Sequence, residues 1–469
     1  MTEERASHDT GLSDALAANL VTGWVPDVDL SPEAPDDVAS YTAKRRAALL
    51  DAFPGETLVV PSGRPKVRAN DTDYPFRASS DYAWLTGDVE PDGVLVVSPG
   101  GDAVLYVPDR VSRDSLAFFT DRGRGEQWVG RRPSAAETSA RLGFECRPRS
   151  ALDLRRLDGA RLVHGSGDEL EGLVSTDAPR DGQLATVLAE LRLAKDDWEL
   201  GQLRLAAEAT ARGFEDAIRE RAGALRHGER WIEGTFWRRA RAEGNDVGYS
   251  SIVACGPHAT VLHWTRNDGP VRDGDLLLLD MGVEMRSLYT ADVTRTIPVD
   301  GVFGAEQRRV YDLVRRAQLA GIAAAMPGAD FLAPNRAAMR VIAEGLHDWG
   351  ILRVPPDSAL DEDPRGPGSG LHRRYTLHNV SHMLGLDVHD CARARTDRYL
   401  HGTLAPGMVL TVEPGVYFAT GDLTVPPELR GIGVRIEDDV TITGDGASVL
   451  SAQLPTAADD VEAWIASLR

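Results

Sequence analysis

Three histidines lie close together in the segment HNVSHMLGLDVHD, at positions 378–390. They are His378, His382 and His389, and histidine is otherwise scarce, with 11 in 469 residues. Neutral imidazole is a common ligand for first-row divalent metals, and it also transfers protons near neutral pH. The cluster therefore predicts a metal site or a proton-transfer site, and either one needs partners from elsewhere in the chain.

The partners expected for such a site are carboxylates, because Asp and Glu oxygens usually complete the coordination of a divalent ion in a hydrolase. Four carboxylates stand in or beside apolar runs of strand length, where an unpaired charge is costly. These are Asp280 in LLLLD, Asp292 in DVTRT, Glu413 in VEPG and Glu437 in RIEDD. Four converging acidic groups repel one another, and two divalent ions would remove that repulsion. The pattern therefore favours a metal-dependent hydrolase.

The segments around these carboxylates are predicted to be strands. LLLLDMGVEM and DVTRTIPV read as a buried strand and its return strand, so Asp280 and Asp292 are expected in the two arms of one hairpin. MVLTVEPGVYF and GIGVRIEDDVTIT are each expected to form a further strand. The candidate ligands thus lie at strand ends of one domain.

Pairs of polar residues two positions apart share one face of a strand. Arg435 and Glu437 form such a pair, which places a guanidinium beside a carboxylate, as in the outer shell of many metal sites. Asp387 and His389 in LDVHD are predicted to share a face in the same way.

A change of character near residue 185 predicts a domain boundary. Upstream, strand-like runs at 57–63, 93–99 and 103–109 alternate with helical stretches at 41–53 and 111–119, which predicts a mixed α/β domain. Downstream, Asp196 and Glu199 form a capping box that opens a long helix. Its predicted apolar face consists of Leu200, Leu203, Ala207, Ala211, Phe214 and Ile218. We therefore predict domains at 1–188 and 189–469.

Two stretches are not expected to form regular structure. Residues 1–40 form a polar arm to which no function is assigned, and 361–370, DEDPRGPGSG, form a loop.

Composition excludes several classes of partner. The 52 basic and 72 acidic residues give a net charge of -20, which opposes binding to nucleic acid or to an anionic membrane surface. The three cysteines are far apart, and neither a signal peptide nor a run long enough to span a membrane is evident. These features predict a cytoplasmic protein without a disulfide framework.

Taken in chain order, the motifs resemble the aminopeptidase P and prolidase family of metallopeptidases. The matching motifs are LHWTRND with His263, LLLDMG, ADVTRT, HNVSHMLGLDVHD, TVEPGVY and GIGVRIEDD. NDTDYPFRASSDYAWLTG at 70–87 also resembles the family's N-terminal domain, so the likeness spans most of the chain. The resemblance implies a creatinase-like N-terminal α/β domain and a C-terminal pita-bread domain, an α+β fold with a curved antiparallel sheet flanked by helices.

The resemblance also implies a role for each matching residue. Two divalent ions, usually manganese in this family, would be bound by five side chains: Asp280, Asp292, His382, Glu413 and Glu437. Asp292 and Glu437 would each bridge the two ions. A hydroxide held between the ions would attack the scissile carbonyl, with Glu413 as proton acceptor. His389 would stabilise the oxyanion, His263 and His378 would position substrate and assist proton transfer, and Arg435 would hold Asp292.

The activity implied is that of a Xaa-Pro aminopeptidase, which removes an N-terminal residue from peptides with proline in second position. Alternatives are a Xaa-Pro dipeptidase, a non-catalytic peptide-binding or protein-binding module, and a metal-free amidinohydrolase of the creatinase type. The family also suggests a homodimer or homotetramer. The step from Asp280 to Asp292 is one residue longer than expected for the family, which predicts a bulge or a longer turn in that hairpin.

Overall fold

The computed structural model describes residues 11–174, 177–363 and 369–468. The chain forms two compact units, Met1–Leu184 and Ala185–Arg469, and the division falls within one helix, Ala178–Leu191. The predicted boundary near residue 188 falls within the same helix. None of the described helices is long and apolar enough to cross a membrane.

The first unit combines short helices with a mixed sheet. Its helices are α1 (Asp14–Leu20), α2 (Ala39–Ala52), α3 (Ser80–Thr86), α4 (Ala117–Thr120), α5 (Glu126–Val129), α6 (Ala135–Leu142), α7 (Leu170–Leu173) and the start of α8 (Ala178–Leu191). Its strands are β1 (Leu58–Pro61), β2 (Val67–Ala69), β3 (Thr72–Asp73), β4 (Val94–Val97), β5 (Ala103–Val107), β6 (Cys146–Pro148) and β7 (Arg161–Leu162).

Five of these strands form one sheet in the order β6-β5-β4-β1-β7. The central pairs β1–β4 and β4–β5 are antiparallel, whereas the outer pairs β5–β6 and β1–β7 are parallel. The predicted strands at 57–63, 93–99 and 103–109 and the predicted helix at 41–53 are therefore confirmed. The mixed α/β class predicted for this half of the chain is confirmed with them.

The helix predicted at 111–119 is wrong in extent, because only Ala117–Thr120 is helical there. The Ser115 hydroxyl accepts a hydrogen bond from the backbone N–H of Ala117, at 3.3 Å, which satisfies the backbone locally and delays the helix start.

The polar arm is more regular than the sequence predicted. Residues 1–10 lie outside the described residues, but helix α1 follows them. The backbone N–H of Leu30 then donates to Glu137 at 2.6 Å, and the N–H of Asp36 donates to the Arg141 carbonyl at 2.8 Å. The described part of the arm is thus hydrogen bonded to helix α6.

The second unit contains long helices and short antiparallel strands. Its helices are the end of α8, α9 (Asp197–Arg219), α10 (Arg221–His227), α11 (Glu229–Glu243), α12 (Ala305–Ala324), α13 (Ala333–Asp348), α14 (Pro356–Leu360) and α15 (Ala458–Leu468). Its strands are β8 (Asp246–Val247), β9 (Ile252–Cys255), β10 (Leu276–Met281), β11 (Val283–Glu284), β12 (Val293–Pro298), β13 (Val409–Val412), β14 (Gly415–Tyr417), β15 (Gly433–Arg435), β16 (Asp438–Ile442) and β17 (Ala447–Val449).

All strand pairs of this unit are antiparallel, and its helices surround one large apolar core, which confirms the predicted class. Helix α9 begins at the predicted capping box, with Asp196 accepting from the Glu199 N–H at 3.0 Å and Glu199 accepting from the Asp196 N–H at 2.9 Å. Its predicted apolar face is buried apart from Leu200, which is half-buried. In the loop predicted at 361–370, residues 364–368 lie outside the described residues, and the others form neither helix nor strand.

Two of the predicted strands are each broken at a candidate ligand. The run MVLTVEPGVYF divides into β13 and β14 at Glu413 and Pro414, and the run GIGVRIEDDVTIT divides into β15 and β16 at Ile436 and Glu437. Proline has no N–H to donate to a ladder, which explains the first break. At the second break, Glu437 bridges to Thr294 of β12.

The predicted hairpin of Asp280 and Asp292 is present. Asp280 lies in β10, opposite Thr294, and Asp292 immediately precedes β12. The connection contains a turn in which the Leu288 N–H donates to the Met285 carbonyl at 2.8 Å and Leu288 has a φ of 68°. The hairpin thus contains a turn beyond the short strand β11, whereas the predicted one-residue excess over the family stays a prediction.

The strand predicted for LDVHD is wrong, because residues 385–390 form bends and a turn. The N–H of Asp390 donates to the Met383 carbonyl at 2.9 Å and closes the segment into a loop. The Asp390 carboxylate is buried against Arg192 and Lys195, which draws the chain inward. Asp387 and His389 consequently do not share the face of a strand.

Candidate metal centre

All nine residues singled out in the sequence line one cavity of about 620 Å³ in the second unit. They are His263, Asp280, Asp292, His378, His382, His389, Glu413, Arg435 and Glu437. The cavity is also lined by polar groups such as Tyr249 and Asn379 and by the apolar side chains of Ile252, Leu262 and Val388. A site of this size and character admits a small peptide segment.

A subset of these residues has the geometry of a cation site. Ligand atoms of Asp292, His382 and Glu437 all lie within 4.8 Å of one another. His382 Nε2 is 3.3 Å from Asp292 Oδ2 and 3.4 Å from Glu413 Oε1. His382 and three of the four candidate carboxylates, Asp292, Glu413 and Glu437, therefore lie close together, although they come from separate segments of the chain.

Asp280 completes the set through different contacts. Its Oδ1 accepts a hydrogen bond from the Tyr249 hydroxyl at 2.7 Å, and its Oδ2 pairs with the Arg435 guanidinium. The predicted partner of Arg435 was Asp292, so this prediction is wrong in its residue. Arg435 reaches Asp280 because β15 lies beside β12 and β10, where its Nε also donates to Thr294 Oγ1 at 3.1 Å.

The carboxylates of the cavity raise one another's pKa. Burial, together with the charge of Asp292, raises the pKa of Glu413 to about 8 against the opposing effect of His382. The pKa of Glu437 is also raised, first by burial and then by the charges of Asp292 and Glu413. The buried carboxylates thus repel one another despite Arg435. Divalent cations bound between them would relieve that repulsion, so this donor set fits such ions.

His382 responds to the same field in the opposite direction. Burial lowers its pKa, but the hydrogen bond to Asp292 and the charge of Glu413 outweigh burial and raise the pKa to about 9. A metal-bound imidazole must be neutral, so His382 would have to give up this proton to serve as a ligand.

His378 is held by a chain of hydrogen bonds. Its Nδ1 lies 2.9 Å from the Asn379 carbonyl, and its Nε2 lies 2.8 Å from the Tyr417 hydroxyl. Because the Tyr417 hydroxyl accepts from Arg435 Nη1 at 3.1 Å, it is free to donate its proton to His378 Nε2. Burial, and after it the charge of Arg435, lowers the pKa of His378 to about 4. His378 is therefore neutral, with its proton on Nδ1.

We expect Tyr417→Phe to lower kcat/KM about 10-fold or more, because His378 then loses the donor that fixes its ring. Steady-state kinetics with metal analysis will check this, with metal content expected to stay unchanged. A matched control is Tyr375→Phe, which removes a hydroxyl that bonds Thr424 at 3.0 Å outside the cavity. Equal losses in both variants would contradict the role of Tyr417.

The other two candidate histidines, His389 and His263, also line the cavity. The His389 ring packs edge-on against His382, with centroids 4.4 Å apart. Burial and the charge of His382 lower the pKa of His389. His263 lies on a solvent-exposed loop, after the 3-10 helix Gly256–Thr260, and contributes to the cavity wall.

Sequence reasoning missed several residues that contact the candidate ligands. Among them are Tyr249 on Asp280, Thr294, whose hydroxyl donates to Glu437 at 2.6 Å, and Asp439, which accepts from the Asp292 N–H at 3.2 Å. Thr294 and Asp439 each stand two positions from a candidate ligand, so strand alternation was a signal that could have found them. Tyr249 carries no such signal.

Comparison with known proteins identifies the family of the chain. A model of metallopeptidase family M24 matches residues 201–444, and a model of the aminopeptidase P N-terminal domain matches residues 42–155. The chain is 54% identical to Xaa-Pro aminopeptidase 2 of Streptomyces coelicolor, with 97% of each chain covered. It is 33% identical to a Xaa-Pro aminopeptidase of Escherichia coli, with 91% of this chain and 97% of that protein covered.

Solved structures are similar over the same length. An aminopeptidase from Pseudomonas aeruginosa superposes with a TM-score of 0.79 at 31% identity, covering 92% of this chain and 98% of that one. A proline aminopeptidase P from Yersinia pestis gives a TM-score of 0.76 at 31% identity, covering 92% and 99%. The chain therefore belongs to metallopeptidase family M24, as a metallo-exopeptidase of the aminopeptidase P family.

Proposed function

We propose that this chain is a metal-dependent Xaa-Pro aminopeptidase, which hydrolyses the bond between an N-terminal residue and a penultimate proline. The observation that carries the proposal is the convergence of His382 and buried carboxylates in one cavity. The chain's relatives in Streptomyces coelicolor and Escherichia coli bear the name of this activity.

The proposed ligands of two divalent ions are Asp280, Asp292, His382, Glu413 and Glu437, with Asp292 and Glu437 shared between the ions. When bound, such ions polarise a carbonyl and make water nucleophilic at neutral pH. Oxygen donors with a single imidazole, and no thiol among the lining residues, suit a hard or borderline ion. We therefore propose manganese as the physiological metal, to be identified by metal analysis of protein purified without added ions.

The remaining side chains have distinct proposed tasks. Glu413 accepts the proton of the attacking water, since its carboxylate lines the cavity beside His382. His389 and His263 face the cavity, where an imidazole N–H can donate to the oxyanion or to the substrate. His378 presents a neutral ring for substrate positioning, and Arg435 holds Asp280, Tyr417 and thereby His378 in place.

Proline in the second position suits this cavity for a physical reason. A peptide bond before proline has no N–H, and the ring fixes φ, so binding relies on shape and apolar contact at that residue. Ile252, Leu262 and Val388 provide apolar surface in the cavity beside the charged groups. We propose that the pyrrolidine ring packs against this surface.

The test of the function is a product assay by mass spectrometry on manganese-loaded protein. A Xaa-Pro-Yaa peptide and a Xaa-Pro dipeptide are offered in parallel, with a chelated control and a Xaa-Ala-Yaa peptide. We expect release of the N-terminal residue from the Xaa-Pro-Yaa peptide only, lost on chelation. Cleavage of the dipeptide alone would identify a dipeptidase instead, and cleavage of neither would reject the proposal.

Two further properties follow from the same proposal. Three free cysteines, two of them buried, suit a reducing compartment, and we propose the cytoplasm. We also propose a homodimer or homotetramer, which sedimentation velocity of the metal-loaded protein will distinguish from a monomer.

A further inference from the structure

Glu229 is a fully buried carboxylate outside the cavity, at the start of helix α11. Its Oε1 accepts hydrogen bonds from the Cys255 N–H at 2.9 Å and from His258 Nδ1 at 2.8 Å. Its Oε2 accepts from Trp264 Nε1 at 2.8 Å and from the Gly269 N–H at 2.7 Å. One carboxylate therefore binds four donors that span a single segment, residues 255–269, which we call the His263 loop.

The same loop is packed closely around Glu229. The rings of His258 and Trp264 stack with centroids 4.0 Å apart, and each ring is hydrogen bonded to a different oxygen of the Glu229 carboxylate. A Cβ on Gly269 would lie 2.2 Å from His258 Cε1 and 3.0 Å from Glu229 Oε2, so the chain passes where only glycine fits. Asn267 fixes the far end, accepting from the Val253 N–H at 2.9 Å.

His263 sits next to Trp264 in this loop and lines the cavity, but its own ring is not anchored. Among the residues that the structure describes, none forms a hydrogen bond to the His263 imidazole, and the residue is exposed. The contacts that fix its place are therefore those of its neighbours, and these converge on Glu229.

We propose that Glu229 is a positioning residue that holds His263 at the cavity by binding the His263 loop from behind. The proposal rests on the proposed function for its kinetic part only. Glu229 is not among the residues that line the cavity, so it acts through the loop and not on substrate or metal.

The chemistry of the four donors requires a carboxylate. An ionised carboxylate has two acceptor oxygens and no hydrogen, whereas an amide replaces one oxygen by a donor. In Glu229→Gln, the amide NH₂ must face at least one backbone N–H of the loop, that of Cys255 or that of Gly269, which leaves a buried donor unsatisfied. The side chain keeps its volume, so the change removes hydrogen bonding without opening a cavity.

The test is a double-mutant cycle on kcat/KM with metal-loaded protein. We expect Glu229→Gln to lower kcat/KM about 10- to 100-fold, mainly through kcat, the size expected when a group is displaced by about 1 Å. In a His263→Ala background the same change is expected to alter kcat/KM by less than about two-fold, because the group it positions is already absent. Metal content is expected to be unchanged.

The matched control is Glu199→Gln, which replaces another buried carboxylate of the same unit. Glu199 caps helix α9 and accepts from the Tyr289 hydroxyl at 2.7 Å, and it does not line the cavity. This variant is expected to lower stability while leaving kcat/KM in both backgrounds within two-fold. A loss of kcat/KM from Glu229→Gln that multiplies with that of His263→Ala would overturn the proposal.

Hydrogen exchange provides a readout that needs no activity. Peptides covering 255–269 are expected to exchange faster in Glu229→Gln than in wild type or Glu199→Gln, with no change at the cavity segments 378–390 and 433–441. Faster exchange across the whole unit would overturn the proposal in favour of a general loss of stability. If wild type cleaves no Xaa-Pro peptide, the proposed function fails while this measurement still decides the role of Glu229.

A milder variant covers the case in which Glu229→Gln does not fold. Trp264→Phe removes one donor to Glu229 and keeps an aromatic ring against His258. We expect a smaller loss of kcat/KM, of about three- to ten-fold, again absent in the His263→Ala background. Unchanged kinetics and unchanged exchange of the loop in this variant would contradict the proposal.

Discussion

The variant Asp292→Ala is expected to lose bound divalent ions and nearly all activity while remaining folded. Asp292 Oδ2 lies 3.3 Å from His382 Nε2, and one donor atom from each of Asp292, His382 and Glu437 lies within 4.8 Å of the others. Loss of an outer-shell partner commonly costs about 10- to 100-fold in metal affinity, so loss of a proposed direct ligand such as Asp292 is expected to cost more than about 100-fold. Metal analysis after dialysis and kinetics on the Xaa-Pro-Yaa peptide check both effects.

The same variant is expected to raise the stability of the metal-free protein. The negative charge of Asp292 contributes to the raised pKa of Asp280, Glu413 and Glu437, after burial in each case. Removing it relieves that repulsion at neutral pH, where a carboxylate with a raised pKa opposes folding. Thermal unfolding in chelator should therefore show a melting temperature at or above that of wild type, with no further rise when manganese is added.

A surface carboxylate of the same unit provides the control for Asp292→Ala. The Asp357 side chain is 84% exposed and pairs with Arg340. Asp357→Ala is expected to keep the metal content, the activity and the metal-induced rise in melting temperature. Two equivalents of tightly bound metal or wild-type activity in Asp292→Ala would reject the ligand set.

The sequence predicted which residues meet in the cavity better than it predicted their pairwise contacts. Histidine clustering and carboxylates beside apolar runs are visible along the chain, and Asp280, Asp292, His382, Glu413 and Glu437 do line one cavity. The partner of Arg435 depends on which strands lie side by side, and strand order is not contained in local spacing. Strand alternation predicted that Arg435 and Glu437 share one face, and both line the cavity. It did not indicate that Arg435 would pair with Asp280 of another strand.

The breaks at Glu413 and Glu437 show a second limit of pattern reasoning. Continuous apolar runs predicted single strands, whereas each run changes sheet at the acidic residue. The Glu413 N–H donates to the Val380 carbonyl at 2.8 Å and the Glu437 N–H to the Thr294 carbonyl at 3.1 Å. Tertiary bonds of this kind turn the side chains toward the cavity, and a strand pattern does not encode them.

LDVHD was mispredicted for a related reason. Its alternating pattern is compatible with a strand, but the buried charges of Arg192 and Lys195 bind Asp390 and require the chain to turn. Burial raises the pKa of Asp390, but the charges of Arg192 and Lys195 outweigh burial and hold the pKa at about 2. Arg192 and Lys195 lie almost 200 positions earlier, so no local window connects them with Asp390.

The variant Arg435→Met is expected to have the opposite effect on stability to Asp292→Ala. The Arg435 guanidinium is buried and contacts Asp280, Thr294 and the Tyr417 hydroxyl. Removing it leaves Asp280 unpaired beside other carboxylates, and breaking a buried pair typically costs about 3–5 kcal/mol. Urea unfolding in chelator is expected to show a loss of this size in the free energy of unfolding.

Added metal is expected to restore part of that loss, because bound cations compensate the carboxylates that Arg435 no longer faces. The metal-induced gain in the free energy of unfolding should therefore exceed that of wild type. Turnover should remain lower than in wild type even with metal bound, since Tyr417 loses its donor and His378 its fixed orientation.

Arg340→Met is the matched control, because Arg340 forms an exposed ion pair with Asp357 in the same unit. An exposed pair contributes little to stability, so this variant is expected to unfold like wild type with and without metal. If Arg435→Met is as stable as Arg340→Met in chelator, Arg435 does not compensate the carboxylate cluster. If it is less stable but gains no more from metal than wild type does, the cations and the guanidinium do not share the same electrostatic role.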